Sequence, residues 1–419
     1  MKKLKYDVNG EKIAHLTRTD RALLVSHALN NVISVFVSTF LISYIYSISE
    51  NYVFNVGLFY MVNYAVMGVV MYVVSALIDR TNRVTFYRIA VVIRAIFLAV
   101  VIFMGHDLAK YVALAGAIHG FSEACYWGSY NVMKNELVSR KLVSRYSSLQ
   151  YVDEKLVSVI IPLILGKIMD ADSFKTSAII VLVLVIIQLV STMFISCFKP
   201  ENASFDMKGF KEHVKALGEK QIFVKKFFVM SIFYGATSIV APLITILVML
   251  EYDSNFSLGI FTSIFSLGAA IFVLIFNRFT KHGTRSFIFV IASALNFISA
   301  VILIFFMNNI TIIIFNGVFT ILKVTYDHAF DVSRNIILKK FNMYDYIAEF
   351  QCLVEECLEA SRVVVFFIMA MIGLIGAEIG ANGMIIALQI LLIIAILTVI
   401  SINVSLLLYE KKQKKYELV

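Results

Sequence analysis

Twelve stretches of the chain read as nearly unbroken apolar runs, at 22–46, 53–78, 88–104, 111–133, 150–168, 175–198, 226–250, 256–276, 286–306, 310–333, 347–374 and 380–408. Each is close to the roughly 20 residues that a helix needs to cross the hydrocarbon core of a bilayer. Polar connections separate them, and the longest, KPENASFDMKGFKEHVKALGEKQ (199–221), divides the spans six and six. The pattern predicts an all-α integral membrane protein of twelve transmembrane helices in two six-helix halves. The predicted parts are a first bundle with its tail over 1–198, a central linker over 199–222, and a second bundle with a basic tail over 223–419. The first span is too long and too far into the chain for a cleaved signal, so MKKLKYDVNGEKIAHLTRTD reads as a cytoplasmic tail.

Composition agrees: 60% of residues are hydrophobic, 16% are charged, and the mean hydropathy is +0.85, far from the balance of a soluble domain. A net charge of +9 would suggest nucleic acid in a soluble chain, but its distribution says otherwise. The two tails and the even-numbered connections carry 30 of the 37 Lys and Arg residues, and the odd-numbered connections carry 3. This is the positive-inside asymmetry; it predicts a multi-pass protein of the cell membrane with both termini cytoplasmic, and no nucleic-acid partner. Four basic residues remain inside spans: Arg94, Lys155, Lys323 and Arg362. The cysteines (Cys125, Cys197, Cys352, Cys357) lack the spacing of a metal site and read as packing residues. No cofactor or metal is expected.

The two halves repeat. YWGSYNVMKNEL (126–137) laid on YDHAFDVSRNII (326–337) pairs Tyr126 with Tyr326, Tyr130 with Phe330, Val132 with Val332, Lys134 with Arg334 and Asn135 with Asn335; one residue further out of step, Gln150 meets Gln351 and Glu154 meets Glu355. More loosely, ALIDRTNRVTFYR (76–88) matches FNRFTKHGTRSF (276–287). In these features the chain resembles the major facilitator superfamily, whose members have two six-helix halves and a G-x-x-x-D-R-x-G-R-[RK] motif after the second helix. Here the motif reads SALIDRTNR, with Ser75 and Asn82 in place of the glycines and Val84 in place of the last basic residue. The resemblance implies that Asp79, Arg80 and Arg83 are gating residues of a cytoplasmic latch. Asn82 would stand where a glycine's positive φ is wanted.

Polar residues recur at helical spacing inside two matching spans: His119, Glu123, Trp127, Tyr130 and Lys134 in one, and Lys323, Asp327, Asp331 and Arg334 in the other. Lys134 and Arg334 lie near span ends and can snorkel. Span 11 adds Glu355, Glu356, Glu359 and Arg362, span 5 adds Asp153, Glu154 and Lys155, span 1 offers His27, Asn30 and Asn31, and span 3 offers Arg94. Charges within a bilayer are costly and persist where they face a bundle interior or a water-filled cavity. The second half carries five interior acids against two bases, so some carboxylates must be protonated, hydrated or met by a cation. A purely structural arrangement, in which Lys323 and Arg362 pair with Asp327, Glu355 or Glu359 and bind nothing, also fits the spacing.

By the resemblance the chain is a secondary transporter working by alternating access, a monomer in the lipid bilayer that moves a small-molecule substrate with protons as coupling ion. Glu123, Asp327, Asp331, Glu355 and Glu359 are the expected proton-linked carboxylates. His27, Asn31, Arg94, His119, Trp127, Tyr130 and Lys323 are the expected substrate contacts, with Trp127, the lone tryptophan, as a stacking platform. The acid excess leans toward export of a cationic or amphipathic compound. Lys323 and Arg94 suit uptake of an anionic or zwitterionic nutrient as well, and a receptor or scaffold without transport is a third reading. Proton-driven exporters of the superfamily carry GP-x-x-GG in span 5, of which only Pro162 and Gly166 are kept. No nucleotide-binding or hydrolase motif occurs, so the chain is not expected to be an enzyme.

Overall fold

A helix in hydrocarbon must satisfy every backbone group within itself, so long apolar runs leave the backbone no other regular option. A computed structural model of the chain describes residues 16–78, 80–137, 143–196, 205–279 and 285–415. All regular structure among them is helical. In chain order the helices are α1 (Arg18–Ile48), α2 (Tyr52–Ile78), α3 (Arg83–Met104), α4 (Val112–Leu137), α5 (Val143–Ala171), α6 (Phe174–Thr192), a short α7 (Met207–Ala216), α8 (Gly218–Tyr252), α9 (Asn255–Phe279), α10 (Arg285–Phe305), α11 (Asn309–Lys340), α12 (Ile347–Ile379) and α13 (Ala381–Lys415).

Each predicted span falls on one of the twelve long helices, and α7 lies in the predicted linker. Ten of the described helices are long and apolar enough to cross a membrane; α4 and α5, at 26 and 29 residues, have the length but carry more polar residues. The helices begin where side chains can take up the free N–H groups of the first turn. Thr17 and Asp20 form a capping box for α1, Ser173 caps α6, Asp206 caps α7 and Asn308 caps α11.

Large apolar side chains point outward, among them Phe103, Val69, Leu274, Val290 and Leu397, each more than half exposed. That surface suits lipid and would be a liability in water. The charged stripes turn inward instead. Lengthwise packing of α2 against both α4 and α12 makes one seam, and α5 against α9 makes another. On the face away from the chain termini these seams are tight: Asn51 donates to the Gly373 carbonyl at 3.1 Å, and Ser43 donates to Asn255 Oδ1 at 2.6 Å. At Gly166 a Cβ would stand 2.5 Å from the Asn255 carbonyl oxygen, and at Gly259 one would stand 2.3 Å from that of Pro162. Only glycine lets the α5 and α9 backbones approach this closely. Pro162 and Gly166, considered above as relics of an exporter motif, therefore have a packing role where α5 crosses α9.

Candidate functional site: a charged interior

Arg94 on α3 is fully buried, and its guanidinium donates to Asn30 Oδ1 on α1 and to Glu123 Oε1 on α4. The ring of Tyr126 lies under it, 5.0 Å from the guanidinium carbon. The other oxygen of Glu123 accepts the Trp127 indole N–H at 2.9 Å. One turn earlier on α4, His119 contacts Asn63 Oδ1 through Nδ1 at 2.8 Å and brings Nε2 within 3.8 Å of Glu123. Glu123 is thus engaged on both oxygens. Because the Trp127 N–H is committed to Glu123 and its ring stands edge-on to Tyr126 and Tyr130, Trp127 works here chiefly as a prop.

His27 on α1 completes this region: its ring stacks on Tyr130 at 4.4 Å with planes 7° apart, while its nitrogens meet the Tyr126 hydroxyl at 2.6 Å and the Gln150 amide at 3.1 Å. A counterpart stands in the last six long helices. Tyr234 on α8 stacks on Phe330 at 4.3 Å with planes 8° apart. Since Tyr130 and Phe330 are matched positions of the repeat, His27 and Tyr234 are matched as well, a pairing the sequence alignment did not show. Tyr234 donates its hydroxyl to Asp327 Oδ1 at 2.9 Å, and Lys323 Nζ lies 3.3 Å from Asp327 Oδ2.

On α12, Arg362 pairs with Glu359 at 2.6 Å and donates to Ser238 Oγ at 3.1 Å, with its guanidinium 5.0 Å from the Tyr64 ring centre. Lys323–Asp327 and Arg362–Glu359 are pairings the structural reading allowed. The contact from Tyr64 crosses from the first six long helices to the last six. Glu359 is 1% exposed and its second oxygen has no hydrogen-bond partner; Glu355 is 9% exposed and makes no hydrogen bond or ion pair among the described residues. Arg362 and Glu123 stand within electrostatic range of both, and Arg334 within range of Glu355. Elsewhere Asn31 donates to Asp153 at 3.1 Å, and Lys155 reaches Glu154 at 3.4 Å.

Exposure differs among the charged residues of the interior. The side chains of Glu359 and Arg94 are 2% and 1% exposed, whereas those of Lys323, Glu154 and Asp331 are 43%, 49% and 58% exposed. Asp331 pairs with Arg334 at 2.8 Å.

Expectations for the motif after α2 change. Asn82 has φ −67° and ψ 122° and caps α3 by accepting the Val84 N–H; it occupies ordinary extended backbone, so no positive φ is involved. Arg80 is exposed, Arg83 is buried, and Asp79 lies outside the described residues. Tyr130 is only 1% exposed and is shielded by His27, so in this state it supports the site from behind. Cys125 and Cys352 are buried and Cys357 is half-buried, while Cys197 lies outside the described residues. Sequence reading missed Asn63, Tyr64, Tyr234 and Ser238 as site residues. Each is an uncharged polar residue within an apolar run, with no charge to single it out.

A family model, Major Facilitator Superfamily, matches residues 22–326, and the chain belongs to that superfamily. None of the curated proteins matches the sequence significantly. Among solved structures the chain is similar to the nucleoside transporter NupG, with a TM-score of 0.62 at 14% identity over 94% of this chain and 98% of that one. It is also similar to a bacterial homologue of the iron transporter ferroportin in its inward-facing state, with a TM-score of 0.60 at 12% identity over 95% and 100% of the two chains. A third is the human organic anion transporter TETRAN, with a TM-score of 0.57 at 12% identity over 91% and 99%. At such identities the likeness concerns the fold. Together with the family match it makes this chain a multi-pass membrane transporter.

Proposed function

We propose that the chain is a proton-coupled secondary transporter of a small cationic or amphipathic organic molecule, working by alternating access between two six-helix bundles, 1–198 and 223–419, joined by the linker 199–222. The observation that carries this is Glu355, a carboxyl buried in a membrane interior with no hydrogen bond or ion pair among the described residues and only the more distant charges of Arg362 and Arg334 acting on it, one turn from Glu359, whose second oxygen lacks a donor. An uncompensated carboxylate in such a place is expensive, so it holds a proton or a cation. If proton and cationic substrate compete for these two carboxyls, each displaces the other, and an inward proton gradient drives the substrate out of the cell. Competition of this kind favours export over symport.

Asp327 is proton-linked through Tyr234 and Lys323, Asp331 acts at the mouth, and Glu123 is the fixed charge that faces them. Arg94, His119 and Trp127 position Glu123, with His27, Asn31 and Lys323 lining the route. The tight seams on the face away from the termini support a resting state open on the side of the termini, which we take as cytoplasmic from the positive-inside asymmetry. Each ligand then shifts the equilibrium by its difference in affinity for the two states. Arg80, Arg83 and Asp79 would close the cytoplasmic side in the opposite state.

The test is proteoliposomes with an internal pH-sensitive dye, screened against pools of lipophilic cations, amino acids, sugars and organic anions. A substrate-dependent pH change that Glu355→Gln abolishes, in protein that still folds, supports the reading. Coupled flux that survives Glu355→Gln removes its basis.

A further inference from the structure

Outside the charged interior a groove lies between α8 and α13, with a volume of about 400 Å³. Its walls are apolar side chains turned to the lipid, including Val229, Phe233, Val404 and Leu408, exposed by 49%, 37%, 46% and 55%. Lys226 closes one end, and Ser405 adds a hydroxyl on the α13 side. The half-buried Lys226 makes no ion pair or hydrogen bond among the described residues, and Lys225 and Lys411 stand exposed at the adjoining helix ends. The groove therefore joins an unpaired cation, at the membrane boundary nearer the termini, to an apolar trough leading inward.

Its length fits one leaflet. At about 1.5 Å per residue, the steps from Lys226 to Phe233 and from Leu408 to Ile400 rise by roughly 10–12 Å. That is most of one leaflet of a hydrocarbon core about 30 Å thick. An occupant must match this polarity, with an anionic group at the boundary and a flexible apolar chain below it.

We propose that the groove between α8 and α13 binds an anionic phospholipid of the leaflet on the terminal side, with its headgroup phosphate on Lys226 and an acyl chain along Val229, Phe233, Val404 and Leu408. The pairing is one of charge and shape: a zwitterionic lipid offers the same chain without net charge, and a soluble phosphate offers the charge without the chain. Both helices belong to the bundle whose α12 carries Glu355 and Glu359, and α8 also carries Tyr234 and Ser238. A lipid held here therefore rests directly behind the site without entering it. The inference does not depend on what the interior transports.

Native mass spectrometry of the full chain, titrated in parallel with dioleoyl phosphatidylglycerol, dioleoyl phosphatidylcholine and glycerol phosphate, tests the proposal. The expected result is retention of phosphatidylglycerol over phosphatidylcholine by about fivefold, the effect of one basic residue at an anionic surface. Lys226→Gln should bring that ratio close to one with thermal stability in phosphatidylcholine unchanged, and Lys226→Arg should restore it. Ser405→Phe, which fills the trough, should reduce retention of both lipids. Equal retention of the two lipids by the unaltered chain, or a preference that survives Lys226→Gln, overturns the proposal. So does glycerol phosphate displacing the lipid at equal concentration, because it assigns the site to a soluble anion.

Discussion

Two buried acids in the two bundles hold an arginine each, and they are treated differently. Glu123 has both oxygens occupied, by Arg94 and by Trp127, and Arg94 is in turn held by Asn30 and the face of Tyr126. Glu359 has one oxygen on Arg362 and the other on nothing, with Glu355 unpaired one turn away. A satisfied buried network fixes geometry, whereas one short of donors has room for a proton or a ligand. The first bundle thus supplies a rigid wall, and the second supplies the groups whose state can change.

The largest expected effect breaks the wall. Arg94→Met should lower stability by roughly 3–5 kcal/mol, because it leaves Glu123 as a buried charge without its partner. The double variant Arg94→Met/Glu123→Gln should regain much of that loss in a detergent thermal-unfolding assay. If the single change costs under about 1 kcal/mol, in the range of an exposed pair, the first network is no wall. Glu355→Gln should do the reverse: stability unchanged within about 1 kcal/mol, since an amide replaces a carboxyl that has no partner, but coupled flux lost. The contrast between these two outcomes is the comparison itself, stability on one side and activity on the other.

Much of this was legible because a bilayer permits so little. Apolar runs located the twelve long helices, and along the stripe of α4 the structure leaves Glu123 and Trp127 half-buried while it buries Tyr126 and Tyr130. Likewise Asp331 faces out of the packing and Phe330 into it. Periodicity fixes which residues share a face, and it is silent about what that face meets. Arg94 could not be joined to Asn30 and Glu123 without knowing how α1, α3 and α4 lie together. Asn82 was misread because a helix cap and a positive-φ turn both favour asparagine, and only the backbone angles separate them.

A smaller effect sharpens the comparison at the repeat. His27 and Tyr234 occupy matched positions, but His27 stacks and bonds among neutral side chains while Tyr234 donates to Asp327. Tyr234→Phe keeps the stack on Phe330 and removes one hydrogen bond to an acid, worth roughly 1.5–3 kcal/mol to a charged acceptor and less where Asp327 is partly wet. Its expected signature is a shift in the pH dependence of transport with nearly normal thermal stability. Substituting Phe at Tyr126, which removes the bond to His27 while leaving the ring, should leave the pH profile in place. A matched shift from both changes would mean that the bundles share the proton-linked role.

The smallest effect concerns the seam on the face away from the termini, where the bundles meet through Asp170. Lying beyond the apolar part of α5, Asp170 accepts the Ser254 hydroxyl at 2.7 Å and the N–H groups of Asn255 and Phe256 at 2.9 and 3.0 Å, so a side chain from one bundle caps a helix of the other. Partial burial works against its charge, but these hydrogen bonds outweigh it and hold the carboxyl below its ordinary value of 3.8. A lowered value in the closed seam means that the contact contributes fully above that ordinary value and fades as pH falls through the lowered one. Acidity on that face would therefore loosen this seam only under strongly acid conditions. Because the site is largely exposed, Asp170→Ala should cost no more than about 1 kcal/mol, read as easier labelling of a cysteine placed at Ser43 on the same seam. Asp170→Asn still caps the helix, since asparagine serves nearly as well there, but it has no proton to gain, so labelling in that variant should stay flat as the pH is lowered. If labelling rises with acid as steeply in Asp170→Asn as in the unaltered chain, another group controls the seam, and its strength is set by the close packing at Gly166 and Gly259.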